Sequence, residues 1–350
     1  MVTLLIFSSV NLALLLCEPP RLLFCRDNSN PMAFFDLASL AKPLVTAPLA
    51  LEHLDLDRDR REQLGFLDRP SPLTVRQLLS HSSGLPPWLP FTGEPLPAQL
   101  ARSFPAGAHP LLRTATVGQS TYSDLNFRML GELLELETGR SIKSLGAESS
   151  GLSPAPWKEA PTQVPDGPDA EAWHIAESAI PLPARSPSLP HDANARAGMG
   201  GHAGFGATPE QMEACLKQWI SKGFPRRMAV ETAWAEDGTC WGLGLKRSLR
   251  GRSRFGQLLA GVPRDFRGIR VLVSESTELA PPLEAEGPPG KPTEWWMHFG
   301  YTGPALFVRP EDGTCLCLLI HRRGPEGELL DASRLNARRW AMLEAWISRL

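Results

Sequence analysis

Ser39-Leu40-Ala41-Lys42 sets a hydroxyl and an amine three residues apart. On a helix, residues i and i+3 share a face, so the amine would lie beside the hydroxyl. Serine is a weak nucleophile until a base takes its proton. Lysine can be that base when burial or positive neighbours lower its pKa. A helix N-terminus beneath Ser39 would also favour an oxyanion. The same spacing occurs in many helices that do no chemistry, so the motif needs company. Tyr122-Ser123-Asp124 opens a second helical stretch. A tyrosine there can pass a proton between Ser39 and a leaving group; the plain alternative is a buried tyrosine ahead of an N-cap serine. The chain holds only 2 tyrosines, which makes chance placement less common. His298-Phe299-Gly300-Tyr301-Thr302-Gly303 is the third candidate. Its glycines fit a strand whose backbone lies close to a ligand, or an ordinary glycine-rich edge.

These residues need elements to hold them. A helix is expected from near Ala38, with Pro43 in its first turns, where a missing N–H is tolerated. Thr74 and Gln77 form a capping box for a short helix that Gly84 and Pro86 would end. From Ser123 the apolar residues Phe127, Leu130, Leu133 and Leu134 recur at helical spacing, and Gly139 is a suitable stop. Residues 149 to 190 are rich in proline and glycine and read as a long loop, as do 281 to 292. Thr208-Pro209-Glu210-Gln211 starts a helix that should stop at Gly223. Trp241 to Leu245 reads as a strand. Ala305 to Arg309 and Thr314 to Ile320 read as a hairpin. A last helix is expected over Ser333 to Leu350, with Leu335, Met342, Trp346 and Leu350 on one stripe.

Hydrophobic residues make up 42% and charged residues 21% of the 350, which places the chain among globular proteins with a large core. The net charge is -2 and no basic run stands out, so nucleic acid is not an expected partner. None of the 8 histidines falls in H-E-x-x-H or a comparable ligand spacing, and the 6 cysteines form no C-x-x-C pair. No metal or cofactor is expected, and Cys315 and Cys317 should be buried thiols on one face of a strand. The N-terminal apolar run lacks a basic start and a cleavage site, and it is short for a membrane span. Leu12 to Leu16 and Leu22 to Phe24 are instead expected as strands joined at Glu18 to Arg21. The missing signal points to the cytoplasm.

Taken in order, S-L-A-K, Y-S-D and H-F-G match the S-x-x-K, S-D-N and K-T-G signature of β-lactamases and penicillin-binding proteins. The chain resembles the class C branch, where tyrosine begins the second motif. L-T-V-R-Q-L-L-S-H-S-S-G-L-P, Y-S-D-L-N-F-R-M-L-G-E-L-L-E-L-E-T-G-R, H-D-A-N-A-R and G-G-H-A-G-F also resemble stretches of that family. The resemblance implies an α+β fold in one domain over 1–350: an antiparallel sheet flanked by helices (about 1–48 and 205–350) and a mostly helical, loop-rich lobe (about 49–204). It implies Ser39 as nucleophile, Lys42 as base, Tyr122 as second proton carrier, and an oxyanion hole at the backbone N–H groups of Ser39 and Tyr301, beside Gly300. His298 would take the place of the third-motif lysine. His191 and Asp192 would line the cleft. It also implies a periplasmic or cell-envelope setting, and a segment before Ser39 that is shorter than usual.

Two departures bear on substrate. Phe299 stands where the family has a hydroxyl residue, and Asp124 where it has an asparagine. A desolvated carboxylate without donors costs about 1–3 kcal/mol per lost partner. The expectation is therefore a serine hydrolase acting through an acyl-enzyme on a small-molecule or peptide-like ester or amide, esterase-like, with a neutral acyl part. A D,D-peptidase or β-lactamase, and a non-catalytic binding protein on the same fold, stand as alternatives. Oligomeric state is not read from the sequence.

Overall fold

The computed structural model describes residues 4–5, 13–15, 24–26, 34–67, 71–89, 98–100, 119–155, 192–196, 200–247, 254–274, 294–320, 322 and 330–350. Its strands are β1 (Leu4–Leu5), β2 (Ala13–Leu15), β3 (Phe24–Arg26), β4 (Phe35–Asp36), β5 (Ser153–Pro154), β6 (Phe205–Ala207), β7 (Ala233–Trp234), β8 (Cys240–Trp241), β9 (Lys246–Arg247), β10 (Ile269–Ser274), β11 (Trp296–Phe299), β12 (Ala305–Arg309) and β13 (Thr314–Ile320). Its α-helices are α1 (Ala47–His53), α2 (Val75–Leu79), α3 (Asp124–Thr138), α4 (Ile142–Ser150), α5 (Ala193–Arg196), α6 (Pro209–Ser221), α7 (Phe224–Met228), α8 (Arg254–Leu259) and α9 (Ala332–Ile347).

β13 is apolar at nearly every position, as a strand covered on both faces requires. Cys315, Cys317 and Leu319 join one core cluster, while Leu316, Leu318 and Ile320 join the other. The first cluster takes in α1, α3 and α6; the second takes in α8 and α9 through Leu259, Leu335, Met342 and Trp346. Among the described residues the main sheet runs β1-β2-β3-β10-β13-β12-β11-β9-β8-β7. It is antiparallel except where β10 lies parallel to β3 and to β13. A small antiparallel sheet, β4-β6-β5, carries the segment leading to Ser39. This is the α+β arrangement the resemblance implies.

Local chemistry explains most element ends. Thr74 with Gln77 and Thr208 with Gln211 form complete capping boxes. Gly139 closes α3 in the left-handed conformation. The β12–β13 hairpin pairs Arg309 with Thr314. α9 covers the sheet with Leu335, Met342 and Trp346, whereas Leu350 lies beyond the helix and is exposed. β2 and β3 pair antiparallel, close to the expected strands, and the turn at Glu18 to Arg21 lies outside the described residues. Of the loop expected over 149 to 190, residues 149 and 150 end α4 and Ser153–Pro154 form β5, because Ser150 and Gly151 close the helix only there. The stretch from 156 lies outside the described residues, as do 281 to 292 and the thiol Cys17. Cys215, Cys240, Cys315 and Cys317 are free and buried, and burial pushes the Cys215 thiol up to about 12.

Three further expectations change. The helix at Ala38 is three consecutive pieces: a 3-10 turn over Ala38–Leu40, a π turn over Lys42–Thr46, then α1. Pro43 lies at the start of the π turn, where its missing N–H is accommodated. The helix begun by Thr74 ends at Leu79, well before Gly84, because His81 takes a left-handed φ of 55°. The strand expected over Trp241 to Leu245 is a hairpin: β8 pairs Trp241 with Lys246 of β9. Gly244, at φ 92°, turns the chain there, and a Cβ at Gly242 would run into the Met228 carbonyl oxygen.

Candidate active site

Ser39 follows a strained residue. Ala38 has φ 43°, a left-handed backbone that costs an L-residue roughly 1–2 kcal/mol. Asp36 Oδ1 holds it by accepting from Ala38 N–H at 2.9 Å. From the other side the third motif closes on the same turn. A Cβ at Gly300 would sit 2.8 Å from the Leu37 carbonyl oxygen, and the Thr302 hydroxyl donates to the Asp36 carbonyl at 2.7 Å. The glycine at 300 therefore serves close backbone approach to the Ser39 turn.

The short 3-10 turn brings Lys42 under Ser39. Lys42 Nζ lies 2.9 Å from Ser39 Oγ, 2.9 Å from the His202 carbonyl oxygen and 2.6 Å from Asp124 Oδ1. Burial works to lower its pKa, but Asp124 and Tyr122 outweigh burial and hold the amine above the ordinary lysine range. Tyr122 Oη lies 3.0 Å from both Ser39 Oγ and Asp124 Oδ1. Tyr122 is partly exposed and lines the pocket. Burial, with the Asp124 charge, pushes the phenol up to about 12, so it is neutral near pH 7.

Two loops fix this cluster. The glycine-rich loop at 200–204 lays the His202 carbonyl on Lys42 and the Gly201 carbonyl on Thr46, whose hydroxyl donates to it at 2.6 Å. Gly201 has φ 96°, and a Cβ there would run into the Phe127 carbonyl. The His202 ring is bonded through Nε2 to Asp192 Oδ1 at 2.8 Å. The second loop carries His81, whose ring packs 4.7 Å from that of Tyr122 and edge-on to Trp241 at 4.4 Å. His81 Nδ1 accepts from Ser123 N–H at 3.1 Å and faces Asn126 Nδ2 at 3.2 Å. Both contacts place the ring proton on Nε2.

A pocket of about 350 Å³ opens onto Ser39. Of the residues named from sequence, Ser39, Tyr122, Asp124, His298, Phe299, Gly300 and Tyr301 line it, with Lys42 directly behind. Asp192 does not line the pocket; its carboxylate is turned to His202 and to the Ala195 N–H. His191 lies outside the described residues. His298 is buried, and neither ring nitrogen has a hydrogen-bond partner among the described residues. Burial, then the charges of Lys42 and Lys246, hold its pKa well below the usual histidine value, so it is neutral. It cannot stand in for a lysine charge.

Sequence reading missed the cations. Lys246, Arg322 and Arg339 also line the pocket, with Trp241 and Asn336. The Arg339 guanidinium donates to the carbonyls of Gly300, Gly303 and Pro304. Burial, helped by Arg322, brings it down to about 9. Arg322 stacks 3.9 Å from the Tyr301 ring centroid and donates to the Leu330 carbonyl at 2.6 Å. No sequence motif signalled Lys246, because strand pairing alone brings it to β11. These charges run against the expected neutral acyl group. Among the described residues no group of His, Cys, Asp and Glu is arranged to hold a metal ion, and no helix is long and apolar enough to cross a membrane.

Known proteins agree with this geometry at the level of fold. A beta-lactamase from Sulfitobacter sp. EE-36 superposes with a TM-score of 0.52 at 16% identity, over 92% of this chain and 86% of that one. A mutant class C beta-lactamase gives 0.52 at 14% identity, over 93% and 85%. SurE with D-Leu gives 0.50 at 18% identity, over 92% of this chain but only 64% of that one. No curated protein matches the chain. The family model for beta-lactamase matches residues 27–339, a span that takes in all three motifs around the pocket, and the chain therefore belongs to the beta-lactamase family.

Proposed function

We propose that this chain is a serine hydrolase acting through an acyl-enzyme on Ser39, with an ester or amide substrate and esterase-like preference. The observation that carries the reading is the convergence of Lys42 Nζ at 2.9 Å and Tyr122 Oη at 3.0 Å on Ser39 Oγ at an open pocket. In its resting ammonium form Lys42 has three acceptors for three hydrogens: Ser39, His202 and Asp124. In its neutral form it keeps two hydrogens for His202 and Asp124 and turns its lone pair to Ser39. The Ser39 proton passes to that nitrogen as Oγ bonds the substrate carbonyl carbon. Tyr122, a neutral phenol, gives its proton to the leaving oxygen or nitrogen and is reprotonated from Lys42. Water then releases the acyl group by the reverse steps. Phe299 supplies no hydroxyl to the pocket, which favours simple esters over β-lactams.

The three pocket cations favour a second reading, a D,D-peptidase or β-lactamase type that takes a carboxylate substrate. Labelling with a fluorescent fluorophosphonate and a fluorescent penicillin, beside kcat/KM for p-nitrophenyl esters and nitrocefin, separates the two. Fluorophosphonate labelling lost in Ser39→Ala, with esters preferred, is the expected result. Preference for nitrocefin supports the second reading. No labelling at all would mean a binding protein and would sink both.

A further inference from the structure

Asp192 immediately precedes α5 and His202 lies in the glycine-rich loop, and neither lines the pocket. A carboxylate oxygen only accepts, so His202 Nε2, 2.8 Å from Asp192 Oδ1, carries the hydrogen and donates it. The same oxygen accepts from the Ala195 N–H at 2.8 Å, which ties it to α5. His202 is buried and its Nδ1 has no hydrogen-bond partner among the described residues, so the bond to Asp192 is the hydrogen bond that anchors the ring. The backbone of this residue reaches the chemistry. The His202 carbonyl accepts from Lys42 Nζ at 2.9 Å. It stands in a loop with little stiffness of its own: Gly200 and Gly201 precede it and Gly204 follows, with φ 96° at Gly201 and 94° at Gly204. A peptide between such residues turns readily unless a side chain holds it, and the His202 ring on Asp192 is that hold. α5 is also fixed to the segment that opens α3. Asn194 Nδ2 donates to the Leu89 carbonyl at 2.9 Å, and the nearby Pro87 carbonyl accepts from the Asp124 N–H at 2.8 Å. α5 thus joins the two loops that bring the His202 carbonyl and the Asp124 carboxylate to Lys42.

We propose that Asp192 and His202 are a positioning pair for the base, holding the glycine-rich loop so that the His202 carbonyl keeps Lys42 Nζ on Ser39. The proposal rests on the acyl-enzyme reading. Lysine is a flexible stem with rotatable donors, and its direction is set by its acceptors. With its two hydrogens on the carbonyl and on Asp124, the neutral amine turns its lone pair to Ser39. With the carbonyl swung away that direction is lost. Proton transfer then slows while the pocket wall is untouched, and a displacement of about 1 Å at reacting groups costs about a hundredfold.

The test uses the full chain, with p-nitrophenyl butyrate as substrate and a fluorescent fluorophosphonate, taken to its end point, to count active sites. Asp192→Ala and His202→Leu should each lower kcat per labelled site by about tenfold to a hundredfold, with KM within about twofold of wild type. Asp192→Asn keeps an acceptor oxygen and His202→Gln keeps a donor at the Nε2 position, so both should stay within about threefold of wild type. The Asp192→Ala/His202→Leu protein should be no slower than the worse single variant, because one contact is removed only once. If the Ala or Leu proteins do not fold by circular dichroism, His202→Asn, polar but too short to reach Asp192, takes their place and should show the same loss. Fewer labelled sites with full kcat per remaining site would mean a merely structural pair and would overturn the proposal. So would an equal loss in Asp192→Asn and His202→Gln, or a rise in KM in step with the fall in kcat. Wild-type protein without turnover or labelling would instead remove the acyl-enzyme reading, and this role with it.

Discussion

The two sides of the pocket are built on opposite principles. On one side Ser39, Lys42, Tyr122, Asp124 and the His202 carbonyl form a closed set of polar contacts between 2.6 and 3.0 Å. On the other, His298 has no hydrogen-bond partner among the described residues, and Lys246 is held over aromatic rings. Two buried histidines show the contrast most directly. Both are neutral and both lie near the Tyr122 ring, His81 at 4.7 Å and His298 at 6.3 Å. His81 is tied to Ser123 and Asn126, whereas neither His298 ring nitrogen meets a side-chain hydrogen-bond partner among the described residues. Proton transfer depends on short, fixed distances, so its side is rigidly bonded. The facing wall is set by aromatic packing instead, with Trp241 5.9 Å from His298 and Lys246 over the Phe299 and Trp241 rings.

If that division holds, damage to the bonded side should be far the larger. We predict that Ser39→Ala and Lys42→Met each lower kcat for the preferred ester by on the order of a thousandfold or more, measured beside fluorophosphonate labelling. Tyr122→Phe should cost about a hundredfold in kcat, with KM little changed, because only a proton carrier is lost. Retention of full activity by Tyr122→Phe would reassign proton delivery to Lys42 alone.

The histidines separate the two sides by stability rather than rate. His81→Leu strips partners from the Ser123 N–H and the Asn126 amide and should lower unfolding free energy by about 2–3 kcal/mol. His298→Leu removes no hydrogen bond to the described residues and should cost no more than about 1 kcal/mol in the same urea titration. Equal losses would erase the contrast drawn above.

A smaller effect concerns pH. The raised pKa of Lys42 means that the folded state holds its proton more tightly than the unfolded chain does. Its stabilising contribution is fully present below the ordinary lysine range and is lost as pH rises through the folded value. Activity runs the other way, since the neutral amine is the base. Asp124→Asn removes the main group raising that pKa. It should make the alkaline loss of stability shallower and move the rising limb of the kcat/KM profile to lower pH. An unmoved limb would show that Lys42 is not the group titrating in the profile. Smallest and most distant from the pocket, Thr208→Ala should cost about 1 kcal/mol, the worth of one capping box.

Local signals in the sequence were enough for the elements whose ends are set by neighbouring residues. Thr74 with Gln77, Thr208 with Gln211, Gly139 and the turn before Thr314 all act within a few residues, so types and spacing state them outright. The order of S-L-A-K, Y-S-D and H-F-G likewise carried the family, because each motif is itself local. Tertiary structure alone decided the rest. The 3-10 and π turns around Lys42 answer to packing against the 200–204 loop, and propensity does not encode them. The break between Trp241 and Lys246 follows from the crowding of Gly242 against the Met228 carbonyl. Lys246 brought beside Phe299, and the His202 carbonyl laid on Lys42, are contacts between residues far apart in the chain. Charge in a pocket sums over whatever strand pairing and helix packing deliver there. The residue types were legible in the sequence, and their meeting was not, because each approach is fixed by long-range contacts that no short spacing records.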